Sequence, residues 1–200
     1  ISRRFDELEE RFAEEEATPD RIAREEVAAR AADLSPALPT FAAMAAASVL
    51  IATAGILLNS AAVVVGSMVI APLIGPAMAT SVGTVFRERT LFRDGIRLQV
   101  FGLVLSVVSA ALFALLVKGG NLVPPGLDVL SIPQVRERFR PDVLSLVVAL
   151  GSGVAGVISL ASGLSSALVG VMIAVALIPP AATVGIGLAW GHPQLALGSG

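Results

Sequence analysis

Residues 59–80 are Asn59-Ser60-Ala61-Ala62-Val63-Val64-Val65-Gly66-Ser67-Met68-Val69-Ile70-Ala71-Pro72-Leu73-Ile74-Gly75-Pro76-Ala77-Met78-Ala79-Thr80. This stretch carries no charge and is long enough to cross a bilayer as a helix. Pro72 and Pro76 interrupt it, and each proline removes a backbone donor and frees a carbonyl one turn earlier. Lipid cannot satisfy a freed carbonyl. We therefore predict a broken helix that faces protein or an aqueous pocket, where packed helices, hydroxyls or water supply the missing partners.

A second stretch about a hundred residues later resembles the first: Ser166-Ala167-Leu168-Val169-Gly170-Val171-Met172-Ile173-Ala174-Val175-Ala176-Leu177-Ile178-Pro179-Pro180-Ala181-Ala182-Thr183. Aligned without a gap, Gly66 meets Gly170, Met68 meets Met172 and Pro76 meets Pro180. Chance agreement is easy in apolar sequence, but a shared Gly, Met and Pro in one register favours an internal duplication. We therefore predict a second broken helix at Pro179 and Pro180.

The composition indicates an integral membrane protein. Of the 200 residues, 55% are hydrophobic and only 15% are charged, and the mean hydropathy is +0.83. A soluble domain needs more charge to cover its surface. No cysteine is present, which excludes disulfide and thiol chemistry. The net charge of −2 gives no reason to expect a nucleic-acid partner, and no motif calls for a cofactor.

The charge pattern divides the chain into two parts. Residues 1–38 are predicted to form an amphipathic helical segment, either a solvated cytoplasmic connector or an interfacial helix. Residues 39–200 are predicted to form an all-α transmembrane bundle. Its five expected spans are about 41–58, 61–86, 98–117, 143–161 and 167–190.

Basic residues assign the orientation of the spans. The loop after the second span holds Arg87, Arg89, Arg93 and Arg97, and the N-terminal segment adds six arginines. Only Lys118, Arg136, Arg138 and Arg140 fall on the other side. The positive-inside bias therefore predicts a multi-pass protein of the cytoplasmic membrane with its N-terminus in the cytoplasm.

The two proline stretches predict an inverted repeat of three spans each. A unit of three spans makes the second copy enter the membrane from the opposite side, and its third span would begin near Leu195. The chain opens within a charged helical pattern and ends in this apolar run, so we expect both ends to continue in a longer protein. Inverted repeats with discontinuous helices are typical of transporters.

The predicted binding residues lie at and around the proline motifs. No Asp, Glu, Lys, Arg or His lies in the middle of a span, which disfavours a proton relay or an ion-coupled pump. Backbone groups and hydroxyls remain, and they suit a neutral solute or a cation held by carbonyls. The candidates for contact with a solute are Asn59, Ser67, Pro72, Gly75, Pro76, Thr80, Pro179, Pro180 and Thr183. The alternative role of the glycines is close helix packing, and that of Asn59 is to cap a turn.

The run from Val64 to Pro76, together with the run from Gly170 to Pro180, resembles the prokaryotic "uncharacterised hydrophobic domain" membrane proteins of domain-of-unknown-function family 389. The likeness covers about residue 36 to the end, with both proline motifs in the family's order. It implies a multi-span protein of the cytoplasmic membrane, often with a soluble cytoplasmic part before the spans. It brings no established activity.

Two function hypotheses follow. The first is a homo-oligomeric transporter or channel-like protein for a small neutral solute or ion. The second is a structural or sensory oligomeric membrane protein that signals through its cytoplasmic N-terminal part. A polar, wet site at Pro72 and Pro179 would favour the first, and a dry interface of small residues would favour the second. The sequence contains no metal cluster, no nucleophile with a base and no phosphate loop, so we do not expect an enzyme.

Overall fold

A computed structural model describes residues 26–29, 31, 33–122, 129–137, 146–147, 150–155, 158 and 166–191, with the backbone alone for 137 and 166–176. Within these residues the chain is helical and contains no strand, so the all-α fold class is confirmed there. The helices are α1 (Leu38–Leu57), α2 (Ala61–Ile70), α3 (Ile74–Val85), α4 (Arg89–Gly119), a 3-10 turn (Val129–Ser131), α5 (Pro133–Glu137) and α6 (Ser166–Trp190).

Two helices are long and apolar enough to cross a membrane. They are α1, with 20 residues, and α4, with 31 residues. The pair α2 and α3 passes the same test when taken together, but the two helices are bent by 61° at the break between them. In α6 the part with described side chains, Leu177–Trp190, is a shorter apolar helix. Two or three spans are therefore present by length and composition in the described part of the chain.

Helix α4 is longer than the span predicted at 98–117, because it begins at Arg89. At 1.5 Å per residue it measures about 46 Å, against about 30 Å of hydrocarbon. Its first nine residues hold Arg89, Arg93, Asp94 and Arg97, and nothing in them ends a helix. The length rule marks the apolar part and misses this extension. We call this end of the bundle the arginine end, and the end near Lys118 the lysine end.

Small residues allow the helices to approach α4 closely. The buried face of α4 consists of Gly95, Gly102, Ser106, Ala110, Ala114 and Val117. A β-carbon on Gly102 would lie 2.9 Å from Phe41 Cζ of α1, and one on Gly185 of α6 would lie 2.5 Å from Ala110 Cβ. Membrane helices commonly use such small residues, four apart, to pack closely. Helices α1 and α6 therefore lie directly against α4.

The contacts also fix the direction of the helices. Gly185 of α6 lies against Ala110 of α4, and four residues later the Ala189 carbonyl oxygen accepts a hydrogen bond from Lys118 Nζ at 3.1 Å. Both helices therefore run from the arginine end to the lysine end. Helix α1 begins beside Gly102 and also runs toward the lysine end. A tight turn follows, in which Ser60 N–H donates to the Gly55 oxygen at 2.8 Å, and α2 then runs back from the lysine end.

The two proline motifs behave differently, and the predicted interruption at Pro179 and Pro180 is wrong. Helix α6 continues through both prolines from Ser166 to Trp190. Adjacent prolines disturb a single turn, which long helical stretches on both sides can bridge. Pro72 and Pro76 are one turn apart, so the chain ends one helix before the first and begins another around the second.

Three predicted segments lie largely outside the described residues. Residues 1–25 of the N-terminal segment and the apolar run from Leu195 lie outside the described residues. The span predicted at 143–161 is described at 146–147, 150–155 and 158, and those residues are helical. The N-terminal helix predicted to reach about Leu34 is helical at residues 26–29, 31 and 33.

Candidate functional site

The predicted break of the first proline stretch is present and buried. Helix α2 ends at Ile70, and Ala71 is extended, with φ −65° and ψ 123°. This conformation is the one that a following proline imposes. Ala71, Pro72 and Leu73 are all buried. Pro76 is the third residue of α3, where a backbone N–H has no partner within the helix, so Pro72 breaks the helix and Pro76 fits the start of the next.

A hydroxyl from a neighbouring helix satisfies a carbonyl at the end of α2. Ala71 N–H donates to the Met68 oxygen, three residues back, at 3.2 Å. The Ser67 oxygen, four residues back, instead accepts a hydrogen bond of 2.7 Å from Ser48 Oγ of α1. Both serines are completely buried. The need for a hydroxyl partner was predictable from Pro72, but Ser48 was not identified as that partner.

The start of α3 lies against the N-terminal segment. A β-carbon on Gly75 would lie 2.5 Å from the Leu34 oxygen and 2.6 Å from Ser35 Oγ, so only glycine allows this approach. Leu73 precedes α3, and its side chain makes no hydrogen bond that caps the first turn of the helix. The N–H groups of Ile74 and Gly75 therefore have no partner within α3, whereas Pro76 has no N–H and the Ala77 N–H donates to the Leu73 oxygen at 3.2 Å.

Thr80 and Thr183 make the same local hydrogen bond in the two proline motifs. Thr80 Oγ1 donates to the Pro76 oxygen at 2.8 Å, and Thr183 Oγ1 donates to the Pro179 oxygen at 2.9 Å. In the gapless alignment Pro76 meets Pro180, so this pairing is one residue out of register. Both hydroxyls are bound to their own helix and keep acceptor capacity only.

Ser106 of α4 is a buried hydroxyl with no hydrogen-bond partner among the described residues. It is 1% exposed. By contrast, the buried hydroxyls of Ser48, Thr53, Ser67 and Thr183 all donate to carbonyls. An unpaired buried hydroxyl lowers the free energy of unfolding by about 1–3 kcal/mol, so a serine at this position is unfavourable for stability alone.

Ser106 lies four residues after Gly102 in α4, and Gly102 borders the break. The two residues share one face of α4 and are about 6 Å apart along its axis. A β-carbon on Gly102 would lie 3.6 Å from Leu73 Cδ2, and Leu73 is the last residue of the break. A search for buried polar residues in uncharged spans would have found Ser106, because it is a polar member of an otherwise glycine and alanine face.

Most of the predicted site residues lie around one core. Ser67, Pro72, Gly75 and Pro76 are buried at the break, and Thr80 is half-buried one turn beyond Pro76. In α6, which packs against α2 and α3, Pro179 and Thr183 are buried and Pro180 is half-buried. Residues from both motifs, including Ala71, Leu73, Ile178 and Ala182, belong to the same apolar core.

Asn59 lies apart from the other candidates. It is exposed in the turn between α1 and α2 at the lysine end, with φ 52°. Its backbone N–H donates to the Ile56 oxygen at 3.0 Å. Asparagine adopts this left-handed conformation more readily than most residues, so the structure favours the turn-capping role of Asn59.

The comparisons with known proteins agree with the motifs and the fold. The family described as "Domain of unknown function (DUF389)" matches residues 68–200, which begin inside α2 and include the break, α3, α4 and α6. The chain belongs to the DUF389 family. It is 34% identical over 181 residues to the protein named "Uncharacterized protein MJ0678" of Methanocaldococcus jannaschii. That match covers 90% of this chain and 54% of the relative, so the chain spans about half the relative's length. No solved structure matches the chain.

Buried polar groups in the described part of this DUF389 chain are neutral. They are Ser48, Thr53, Ser67, Ser106, Gln134, Ser152 and Thr183. Among all the residues that the structure describes, no three His, Cys, Asp or Glu side chains lie close enough together to hold a metal ion. The chemistry that the described site can offer a bound molecule is therefore hydrogen bonding by hydroxyls, carbonyls and backbone N–H groups.

Proposed function

We propose that this DUF389 protein moves a small polar solute, neutral or ionic, across the cytoplasmic membrane as a transporter or channel-like protein. The solute contacts the break between α2 and α3. The observation that carries the proposal is the unpaired, buried hydroxyl of Ser106, which lies one turn along α4 from Gly102 at the edge of that break. A passing solute would hydrogen-bond with Ser106 and so relieve its desolvation.

The break suits a small polar solute because it offers both donors and acceptors. The carbonyls of α2 beyond Met68 can accept hydrogen bonds, and the N–H groups of Ile74 and Gly75 at the start of α3 can donate them. Broken helices in transporters present these groups to substrates and coupling ions. The lack of buried charge among the described residues favours a neutral solute, or a cation held by carbonyls, over a proton relay.

The same proposal includes an inverted repeat with a cytoplasmic N-terminus. Helices α3 and α6 run in opposite directions, and each places a threonine hydroxyl on a proline carbonyl. These features support a duplication whose two copies enter the membrane from opposite sides. A third span of the second copy would begin near Leu195.

Assembly as a homo-oligomer also belongs to the proposal. Ala62 and Gly66 of α2 are exposed and four residues apart, and a β-carbon on Gly66 would have no described neighbour within 4 Å. Small residues at this spacing on an open face suit close packing with another helix.

A flux assay in reconstituted vesicles tests the site. Vesicles with the protein should swell in small polyols, urea or simple salts faster than protein-free vesicles. Ser106→Ala should change the rate for the carried solute by about tenfold, the equivalent of one good hydrogen bond. Ser109→Ala is the matched control, because Ser109 is a half-buried serine on the same helix, and it should leave the rate unchanged. Equal rates for both variants and the wild type would refute the site.

A specific contact favours the sensory role as a second candidate. Ala31 of the N-terminal segment is completely buried in a cluster with Met78 and Val82 of α3. Movement of the segment would therefore act directly on the helix that begins at the break. Under this candidate, wild-type vesicles show no flux for any solute, and Ala31→Asp, which displaces the segment, changes the size of the oligomer.

A further inference from the structure

We propose that the arginine stripe of α4, Arg89, Arg93 and Arg97, binds the phosphate headgroups of anionic phospholipids in the leaflet at the arginine end. The stripe is a different surface from the break, and the inference does not depend on what the protein transports.

The three arginines form an inclined row on the surface of α4. They are four residues apart, so they share one face of α4 at intervals of about 6 Å along its axis. All three are exposed. No ion pair joins any of them to a carboxylate of the described residues. The acids nearest in the sequence are Asp94, on the flank of the stripe, and Glu88, before the helix begins; both are exposed.

The stripe continues as the surface that would face lipid. Val100, Val104 and Val108 follow on the same side of α4 and are 54%, 58% and 49% exposed. The opposite side, with Gly95, Gly102 and Ser106, is buried against the other helices. The arginines therefore point outward from the bundle, in line with the exposed valines, and not into it.

The depth of the stripe matches the headgroup layer. Residues 98–117 are uncharged and about 30 Å long, which is the thickness of the hydrocarbon. The polar layer adds about 5–8 Å on each side. Arg97 would thus lie at the hydrocarbon boundary and Arg93, about 6 Å further out, near the outer edge of the headgroups, whereas Arg89, about 12 Å beyond Arg97, would lie outside them. Arg93 and Arg97 should contribute most.

The chemistry of the surface selects a phospholipid as the occupant. Guanidinium groups bind phosphate oxygens in a bidentate manner, and basic residues at an anionic bilayer surface strengthen binding by about fivefold each. Free phosphate would use only the arginines. A lipid would also lay its acyl chains along the exposed valines, so the charged stripe and the apolar surface are both explained by one ligand.

The test measures lipid retention by the purified, full chain. Native mass spectrometry in mild nonionic detergent would compare adducts of phosphatidylglycerol and phosphatidylcholine with identical acyl chains. We expect the wild type to retain phosphatidylglycerol at least about tenfold better. Arg93→Gln with Arg97→Gln should reduce that preference to near unity. The control Arg136→Gln removes an exposed arginine from α5 and should keep it.

Further arms separate the alternatives. Arg93→Lys with Arg97→Lys keeps the charge and should retain part of the preference, which shows that a loss in the Gln pair is not misfolding. No preference in the wild type, or one that survives in the Gln pair, would overturn the proposal. Competition by inorganic phosphate at the lipid's own concentration would identify an anion site without lipid. If Glu14→Gln, Glu15→Gln and Glu16→Gln together are needed before phosphatidylglycerol binds, the acidic N-terminal segment and not lipid occupies the stripe.

Discussion

Ser48→Ala should destabilise the protein more than its small change in volume suggests. Ser48 Oγ donates to the Ser67 oxygen at 2.7 Å, and both residues are completely buried. The N–H four residues beyond Ser67 donates to Met68, so the variant leaves a buried carbonyl without this donor. An unsatisfied buried group costs about 1–3 kcal/mol in water-soluble proteins, and hydrogen bonds between membrane helices average about 0.6 kcal/mol. We expect a loss of about 1–2 kcal/mol, because the partner cannot be replaced by the helix itself.

Thr53→Val is the matched control for this prediction. Thr53 Oγ1 is also buried and donates to the Val49 oxygen at 2.7 Å, but Val49 lies inside α1 and its carbonyl also accepts the regular helical bond. The loss there should be within about 0.5 kcal/mol of zero. Unfolding by sodium dodecyl sulfate in mixed micelles, followed by far-ultraviolet circular dichroism, gives both values. Equal losses for the two variants would refute the view that the break depends on Ser48.

Three further predictions follow from the helix contacts and the charges. Gly185→Ala should destabilise the protein by about 1–3 kcal/mol, because its β-carbon would lie 2.5 Å from Ala110 Cβ. Gly66→Ala should instead stabilise the monomer by about 0.5–1 kcal/mol, because a β-carbon there has no described neighbour within 4 Å. The same unfolding assay compares the two variants. Lys118→Met should lose the hydrogen bond to the Ala189 oxygen and the contact of Lys118 Nζ with the Trp190 ring, whose centroid is 5.5 Å away. The fluorescence emission spectrum of Trp190, the single tryptophan of the chain, should therefore change, and an unchanged spectrum would contradict the contact. Cysteines introduced at Thr90 and Leu122, both exposed at opposite ends of α4, should react with an impermeant thiol reagent from opposite sides of the membrane; reaction from the same side would show that α4 does not cross.

The features that the sequence predicts are those set by one short stretch of chain. Pro72 removes a donor whatever surrounds it, so the end of α2 was predictable, and the uncharged run of residues 167–190 closely matches α6. The start of α4 at Arg89 was not predictable in this way. Bilayer thickness sets the length of an apolar run, but it does not determine the residue at which the helix begins.

The features that the sequence does not predict depend on which helices become neighbours. Ser48 is 19 residues from Ser67, and only the packing of α1 on α2 brings its hydroxyl to that carbonyl. The contact of Leu34 with Gly75 likewise arises from tertiary packing. The row of small residues at every fourth position of α4, from Gly102 to Ala114, is visible in the sequence and marks the face on which α1 and α6 pack.

The most direct test of the proposed site is the reactivity of single cysteines on the buried face of α4. Ser106→Cys and Ala110→Cys lie one turn apart in a chain that has no cysteine of its own, and both positions are at most 1% exposed. Ala110 packs against Gly185 in what should be a dry contact. In reconstituted vesicles, a small, charged, water-soluble methanethiosulfonate should modify the cysteine at 106 and spare the one at 110, because only a solute site admits water. Two unreactive cysteines, or two that react at the same rate, would contradict the account.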